Sequence, residues 1–145
     1  MAKWIKRPDG TKEARWTSVL RMVPDLLDAP LSWRTPKRVL VNSMSDLFHE
    51  RVPFAFVDRV VAIAAIAQQH TYQCLTKRAD RALEYWADSE REAYIARAAL
   101  DMLGSRHAIS ANFLPLHNWW QGVSAENQVT FDERVELLGR TPAAV

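Results

Sequence analysis

Val39-Leu40-Val41-Asn42-Ser43-Met44-Ser45-Asp46-Leu47-Phe48-His49-Glu50 opens as a short apolar run behind Lys37-Arg38, then turns abruptly into small polar residues and an acid. A buried parallel strand reads this way where it runs into a functional loop. In α/β sheets, open or closed, ligands sit at the carboxyl ends of the strands. Asn42, Ser43, Ser45 and Asp46 stand at that end of the predicted strand Arg38–Asn42. The plainer reading is a polar turn that caps the next helix, because such loops are polar by default.

The same design recurs twice. Thr71 to Leu75 reads as a second strand, ending in Thr76-Lys77-Arg78. Trp119 to Val123 reads as a third, with Ser124, Glu126 and Asn127 at its carboxyl end. Between the first two lies a helical pattern opened by Pro53, with Phe54, Val57, Val60, Val61, Ala64 and Ala65 on one face. A longer pattern, about Asp80 to Leu103, is expected to break near Asp88-Ser89 and to stop at Gly104. Ser105 to Asn118 reads as a connecting loop. A last helix is expected behind Thr130, with Glu133 completing a capping box and Gly139 ending it. Ahead of the first strand, Val19 to Val23 reads as extended and Pro24 to Asp28 as a short helix. Strand and helix in alternation predict an α/β fold, a parallel sheet with crossover helices. Three polar loops on one rim make one composite site.

The 145 residues suit one domain, and the net charge of +2 demands no nucleic-acid partner. Locally the amino end is basic, through Lys3, Lys6, Arg7, Lys12 and Arg15. Residues 1–15 are therefore expected to form a solvated arm, with phosphate contact as the sharper alternative. Cys74 is the one cysteine and lies in an apolar run, which points to a buried structural thiol and excludes an internal disulfide. No run is long enough for a membrane span, and a cytoplasmic protein is the default. His49, His70, His107 and His117 are scattered over loops and form no zinc-protease motif, since Pro53 stands four residues after His49. Trp119-Trp120 beside His117 suggests base stacking, but adjacent strand residues face opposite ways, so at least one belongs to the core.

Three phrases carry a resemblance: Val41 to Glu50, His70-Thr71-Tyr72-Gln73-Cys74-Leu75-Thr76-Lys77-Arg78, and Gly122-Val123-Ser124-Ala125-Glu126-Asn127-Gln128. Arg15-Trp16-Thr17, Val23-Pro24, Leu31-Ser32-Trp33-Arg34, Asp132-Glu133-Arg134 and the closing Thr141-Pro142-Ala143-Ala144-Val145 agree with them. Together, over about residues 15–145, they resemble the phage and prophage proteins of the gene-product thirty-seven/sixty-eight family, which is uncharacterised. That family is similar in turn to radical S-adenosylmethionine enzymes of the spore photoproduct lyase type. The resemblance implies a full or partial (β/α) barrel, with Asp46, Lys77 and Ser124 around the bound cofactor. Such proteins begin with a strand and a loop of three cysteines that hold an iron–sulfur cluster. They also continue into further strands. Residues 16–145 are therefore expected to be a single partial barrel domain, the central part of a longer protein.

With Cys74 alone this chain supplies no cluster, so neither cluster nor S-adenosylmethionine is expected as its cofactor outside the full-length family. Catalytic incompetence of the isolated chain follows. The rim is still expected to bind. An acid such as Asp46 accepts from an ammonium or a ribose hydroxyl, Lys77 or Arg78 meets a carboxylate or phosphate, and Ser124 and Asn127 suit a ribose. The plainer readings are a turn cap for Asp46, solvated cations for Lys77 and Arg78, and a turn hydroxyl for Ser124. The alternative function is a non-enzymatic phage module that binds nucleic acid or a host protein through the rim or the basic arm. A section of barrel also leaves sheet edges open, so self-association is expected.

Overall fold

The computed structural model describes residues 2–16, 19–110 and 112–143. Its centre is a three-stranded sheet of β3 (Arg38–Val41), β4 (Thr71–Thr76) and β5 (Trp119–Val123), in the order β3-β4-β5. Both pairings are parallel, with Val39 beside Tyr72 and Cys74 beside Gln121. The predicted parallel α/β sheet is therefore present. Among the described residues it has three strands and does not close into a barrel.

One face of the sheet is buried. Tyr72, Cys74, Thr76, Trp119 and Gln121 alternate along β4 and β5 and point into the core. Against this face pack α1 (Phe54–Ile66) and α2 (Ala79–Trp86), and α3 (Arg91–Leu103) packs on α1. Helix α1 buries Val57, Val61, Ala62, Ala64 and Ala65, whose small side chains let α3 approach closely. Helix α2 turns Ala82, Tyr85 and Trp86 inward, and the Trp86 ring meets Trp119 edge-on at 5.8 Å. The Gln121 amide sits between the two indoles and accepts from both, from Trp86 at 3.3 Å and from Trp119 at 3.2 Å. The other sheet face is open: Leu40 is 49% exposed, Leu75 49% and Trp120 44%. Leu75 lies over Gly122, where an added Cβ would come within 2.7 Å of its Cδ2.

The two-helix break falls where expected. Asp88 accepts from the Glu90 amide at 3.0 Å, which ends α2 and starts α3. Gly104 closes α3 with a φ of 74°. Helix α4 (Gln128–Gly139) differs from expectation. Its cap is Asn127, not Thr130. The Asn127 carboxamide accepts from the Thr130 amide at 2.9 Å, and the Thr130 hydroxyl accepts from the Asn127 amide at 3.2 Å. Asparagine is the stronger cap, so the helix begins three residues earlier and Thr130, rather than Glu133, closes the box. Asn127→Ala is expected to cost about 1 kcal/mol, the usual value of such a cap. A urea midpoint unchanged by this substitution would show that α4 frays in the parent protein.

Three other expectations change. Val19 to Val23 forms no strand; it runs irregularly into a 3₁₀ turn, Pro24–Leu26, because no ladder partner lies beside it among the described residues. Residues 2–16, read as an arm, pair as an antiparallel hairpin of β1 (Ala2–Lys6) and β2 (Lys12–Trp16). Its turn is built on Pro8-Asp9-Gly10: Gly10 takes a φ of 85°, and Asp9 accepts from the Thr11 amide at 2.9 Å. His70, expected among loop histidines, is buried. Its Nδ1 accepts from the Lys37 amide at 3.2 Å while Nε2 lies 3.0 Å from the Pro30 carbonyl, so Nε2 carries the proton. The pair of bonds ties the turn before β3 to the start of β4.

Candidate functional site

The parallel pairing places the carboxyl ends of β3, β4 and β5 along one edge, and their loops join there. Asp46 is the centre. Its Oδ1 accepts from the Phe48 amide at 3.0 Å and from the Thr76 hydroxyl at 2.8 Å. Its Oδ2 accepts from the Lys77 amide at 3.2 Å and from Arg78 at 3.0 Å. A carboxylate offers about four lone-pair directions, and all four are taken by the protein. Asp46 is therefore a brace between the loops after β3 and β4. The Thr76 hydroxyl, buried, also accepts from the Arg78 amide at 2.9 Å.

The loop after β5 joins through Glu126, which pairs with Lys77 and, at 2.8 Å, with Arg134 of α4. Bonding to Lys77 first, then to Arg134, holds the Glu126 carboxyl down at about 2, so it is ionised at neutral pH. Arg134 also donates to the Ser124 carbonyl, and the Ser124 amide donates to the Thr76 carbonyl at 3.0 Å. Arg78 reaches in the other direction to Glu50 at 2.8 Å. Its guanidinium is held further toward the charged form by Glu50 and Asp46, against the opposing effect of burial. The cations of the rim are thus matched by acids.

Asp46, Thr76, Lys77, Arg78, Ser124 and Glu126 are accordingly brought together. The Asn127 side chain is engaged in capping α4. Asn42 and Ser45 face a different feature. A cleft of about 860 Å³ opens beside the free edge of β3, between it, α1 and residues 19–33. That size is ordinary for a small-molecule site. Leu20, Leu26, Trp33, Leu40, Met44 and Phe56 give it apolar walls, and Asn42, Ser45, Asp46, His49 and Arg51 lie at its polar end. Asn42 sits at a φ of 56°, a left-handed turn conformation that asparagine tolerates, and its carbonyl accepts from the Ser45 amide at 2.9 Å. Among the described residues the Asn42 and Ser45 side chains have no hydrogen-bond partner. Ser43 is exposed on the turn and does not line the cleft.

Sequence reasoning misses Glu50, Arg134 and the wall formed by residues 19–33 as parts of the site. Arg134 lies on a helix ten residues beyond Ser124, and nothing local marks it. The wall is legible only as an apolar cluster, Leu20, Met22, Val23, Leu26 and Leu27, too large for a solvated connection. The residues present do not fit an iron–sulfur cluster. Cys74 is buried in the core, with its thiol pushed up to about 12 by burial and, less, by Asp46. No group of three or more histidine, cysteine, aspartate or glutamate side chains converges among the described residues. No helix among them is long and apolar enough to cross a membrane.

No curated protein and no solved structure matches the chain. The model of one family, described as a protein of unknown function (DUF5131), matches residues 1–145, and the chain belongs to that family.

Proposed function

We propose that this chain, of phage or prophage descent, is the ligand-holding section of a (β/α)-barrel protein of the radical S-adenosylmethionine type. It departs from the expectation of no S-adenosylmethionine in this chain by binding the nucleoside end of an S-adenosylmethionine-class molecule in the cleft beside β3, whose lining includes no cysteine. It does not cleave that molecule, since reductive cleavage needs an electron from a cluster that these residues do not ligate. The carrying observation is the braced rim: three parallel strands in sequence order, with the loops after all three tied by Asp46 and Glu126. Two features support it. The strand order β3-β4-β5 follows the chain, as neighbouring strands of a barrel do. All-parallel sheets are covered on both faces, yet Leu40, Leu75 and Trp120 stand on an open one, as the inner wall of an opened barrel does.

In this reading Trp33 and the aliphatic walls take the adenine and the thioether chain. Asn42 and Ser45 hydrogen-bond the ribose hydroxyls. Asp46 positions their loop and makes no direct contact. Calorimetric titration with S-adenosylmethionine and S-adenosylhomocysteine tests it. Saturable one-to-one binding is expected, weakened about tenfold or more by Asn42→Ala with Ser45→Ala, since two hydrogen bonds of about 1 kcal/mol each are removed. Binding of neither molecule, or binding indifferent to the double substitution, refutes the proposal.

A further inference from the structure

The β1–β2 hairpin stands apart from the rim and carries a separate concentration of charge. Residues 2–16 hold five cationic side chains and two acidic ones; the rest of the chain holds fourteen and fifteen. Both acids are occupied within the hairpin. Asp9 accepts from the amide and the hydroxyl of Thr11, at 2.9 and 2.6 Å. Glu13 pairs with Arg7 at 2.9 Å. Lys6 and Lys12 are exposed and have no ion pair among the described residues. The register sets them directly across from each other, and sets Lys3 across from Arg15.

Like charges directly opposite on a ribbon are destabilising. A two-stranded hairpin is also marginal by itself, and β1 and β2 pack chiefly on one another. Two lysines held in that unfavourable pairing, next to a hydrogen-bonded turn, make a surface whose repulsion an external polyanion relieves. A two-stranded ribbon is also one of the shapes that the major groove of duplex DNA admits.

We propose that the β1–β2 hairpin binds duplex DNA, with the Lys6–Lys12 end seated on the phosphate backbone. Phosphate contact of this kind is independent of sequence and falls steeply with salt. Single-stranded DNA and sulfated polysaccharide are weaker occupants in this proposal, because neither presents a groove for the ribbon.

The test is fluorescence anisotropy of the full chain with a labelled duplex of arbitrary sequence, over a range of salt concentrations. Lys6→Ala with Lys12→Ala is expected to weaken binding about tenfold or more and to reduce the slope of log K against log salt by about two, one for each lysine withdrawn from a phosphate. Lys6→Arg with Lys12→Arg restores binding if charge on the ribbon is what matters. Neither variant should melt below the parent, since neither side chain touches the core and the alanine pair removes the cross-strand repulsion. Absence of duplex binding at low salt, a double alanine variant that binds like the parent, or heparin and single-stranded DNA bound as tightly as duplex would each overturn it. S-adenosylmethionine titration of the same variants is expected to be unchanged, so failure here is separable from failure of the cleft reading.

Discussion

Arg91→Met is expected to lower the free energy of unfolding by about 3–5 kcal/mol, the range for stripping one partner from a buried ion pair. Arg91 is 4% exposed and Asp58 5%. The guanidinium donates to Asp58 at 2.9 Å, to Asp88 at 2.7 Å and to the Tyr85 carbonyl at 3.0 Å. It also lies 4.2 Å from the Tyr85 ring centroid. Asp58 belongs to α1, Tyr85 to α2 and Arg91 to α3, so this one side chain joins three helices. Its loss leaves the Asp58 carboxylate buried with only the Tyr85 hydroxyl, at 2.9 Å, as a partner among the described residues. The phenol is itself held protonated, its pKa raised by burial and then by Asp58. Urea unfolding followed by tryptophan fluorescence measures the effect. The double variant Asp58→Leu with Arg91→Met is expected to recover part of the loss, because two apolar groups replace two charges together while the buried Tyr85 hydroxyl is left without its acceptor. A loss below about 1 kcal/mol in the single variant would mean that water reaches the pair and that it behaves as a surface bridge.

Asp46→Ala is expected to cost about 2–3 kcal/mol and to abolish the binding proposed for the cleft, since it strands donors that have no second acceptor. Arg78 keeps Glu50, and the Thr76 hydroxyl can turn, but the amides of Phe48 and Lys77 lose their acceptor. Asp46→Asn is little better, because its NH₂ would face the amide of Lys77 or that of Phe48. The exposed Lys77–Glu126 bridge does not compensate. Urea midpoints and hydrogen exchange at the Phe48 and Lys77 amides report the brace. Parental protection at both amides in Asp46→Ala would show that the loops hold their shape without it.

Much of the architecture is local. Arg38–Val41, Thr71–Thr76 and Trp119–Val123 are apolar runs of strand length separated by helical periods, and all three form strands close to their expected bounds. The break near Asp88 and the stop at Gly104 follow from side-chain and backbone preferences a few residues long. Elsewhere a competing signal wins. Asn127 outcompetes Thr130 as a cap. The Pro8-Asp9-Gly10 turn is masked by the basic composition around it, which suggests solvation rather than pairing. Val19–Val23 has the composition of a strand, but a strand exists only when another chain segment offers it a ladder.

The rim shows the same division. That Asn42, Ser43, Asp46, Thr76, Lys77, Ser124 and Glu126 follow strand ends is a property of the sequence, and parallel pairing is enough to put strand ends on one edge. What those groups do there is not. Asp46 reads as an acid free to meet a ligand, and only the tertiary structure turns four protein donors onto it. Lys77 and Arg78 read as cations for a phosphate, and only packing brings Glu126 and Glu50, far along the chain, into pairing distance. Periodicity determines which faces are apolar and where strands end, because it acts over a few residues. Partner choice depends on groups separated by about thirty to fifty residues, whose encounter is set by how the helices pack on the sheet.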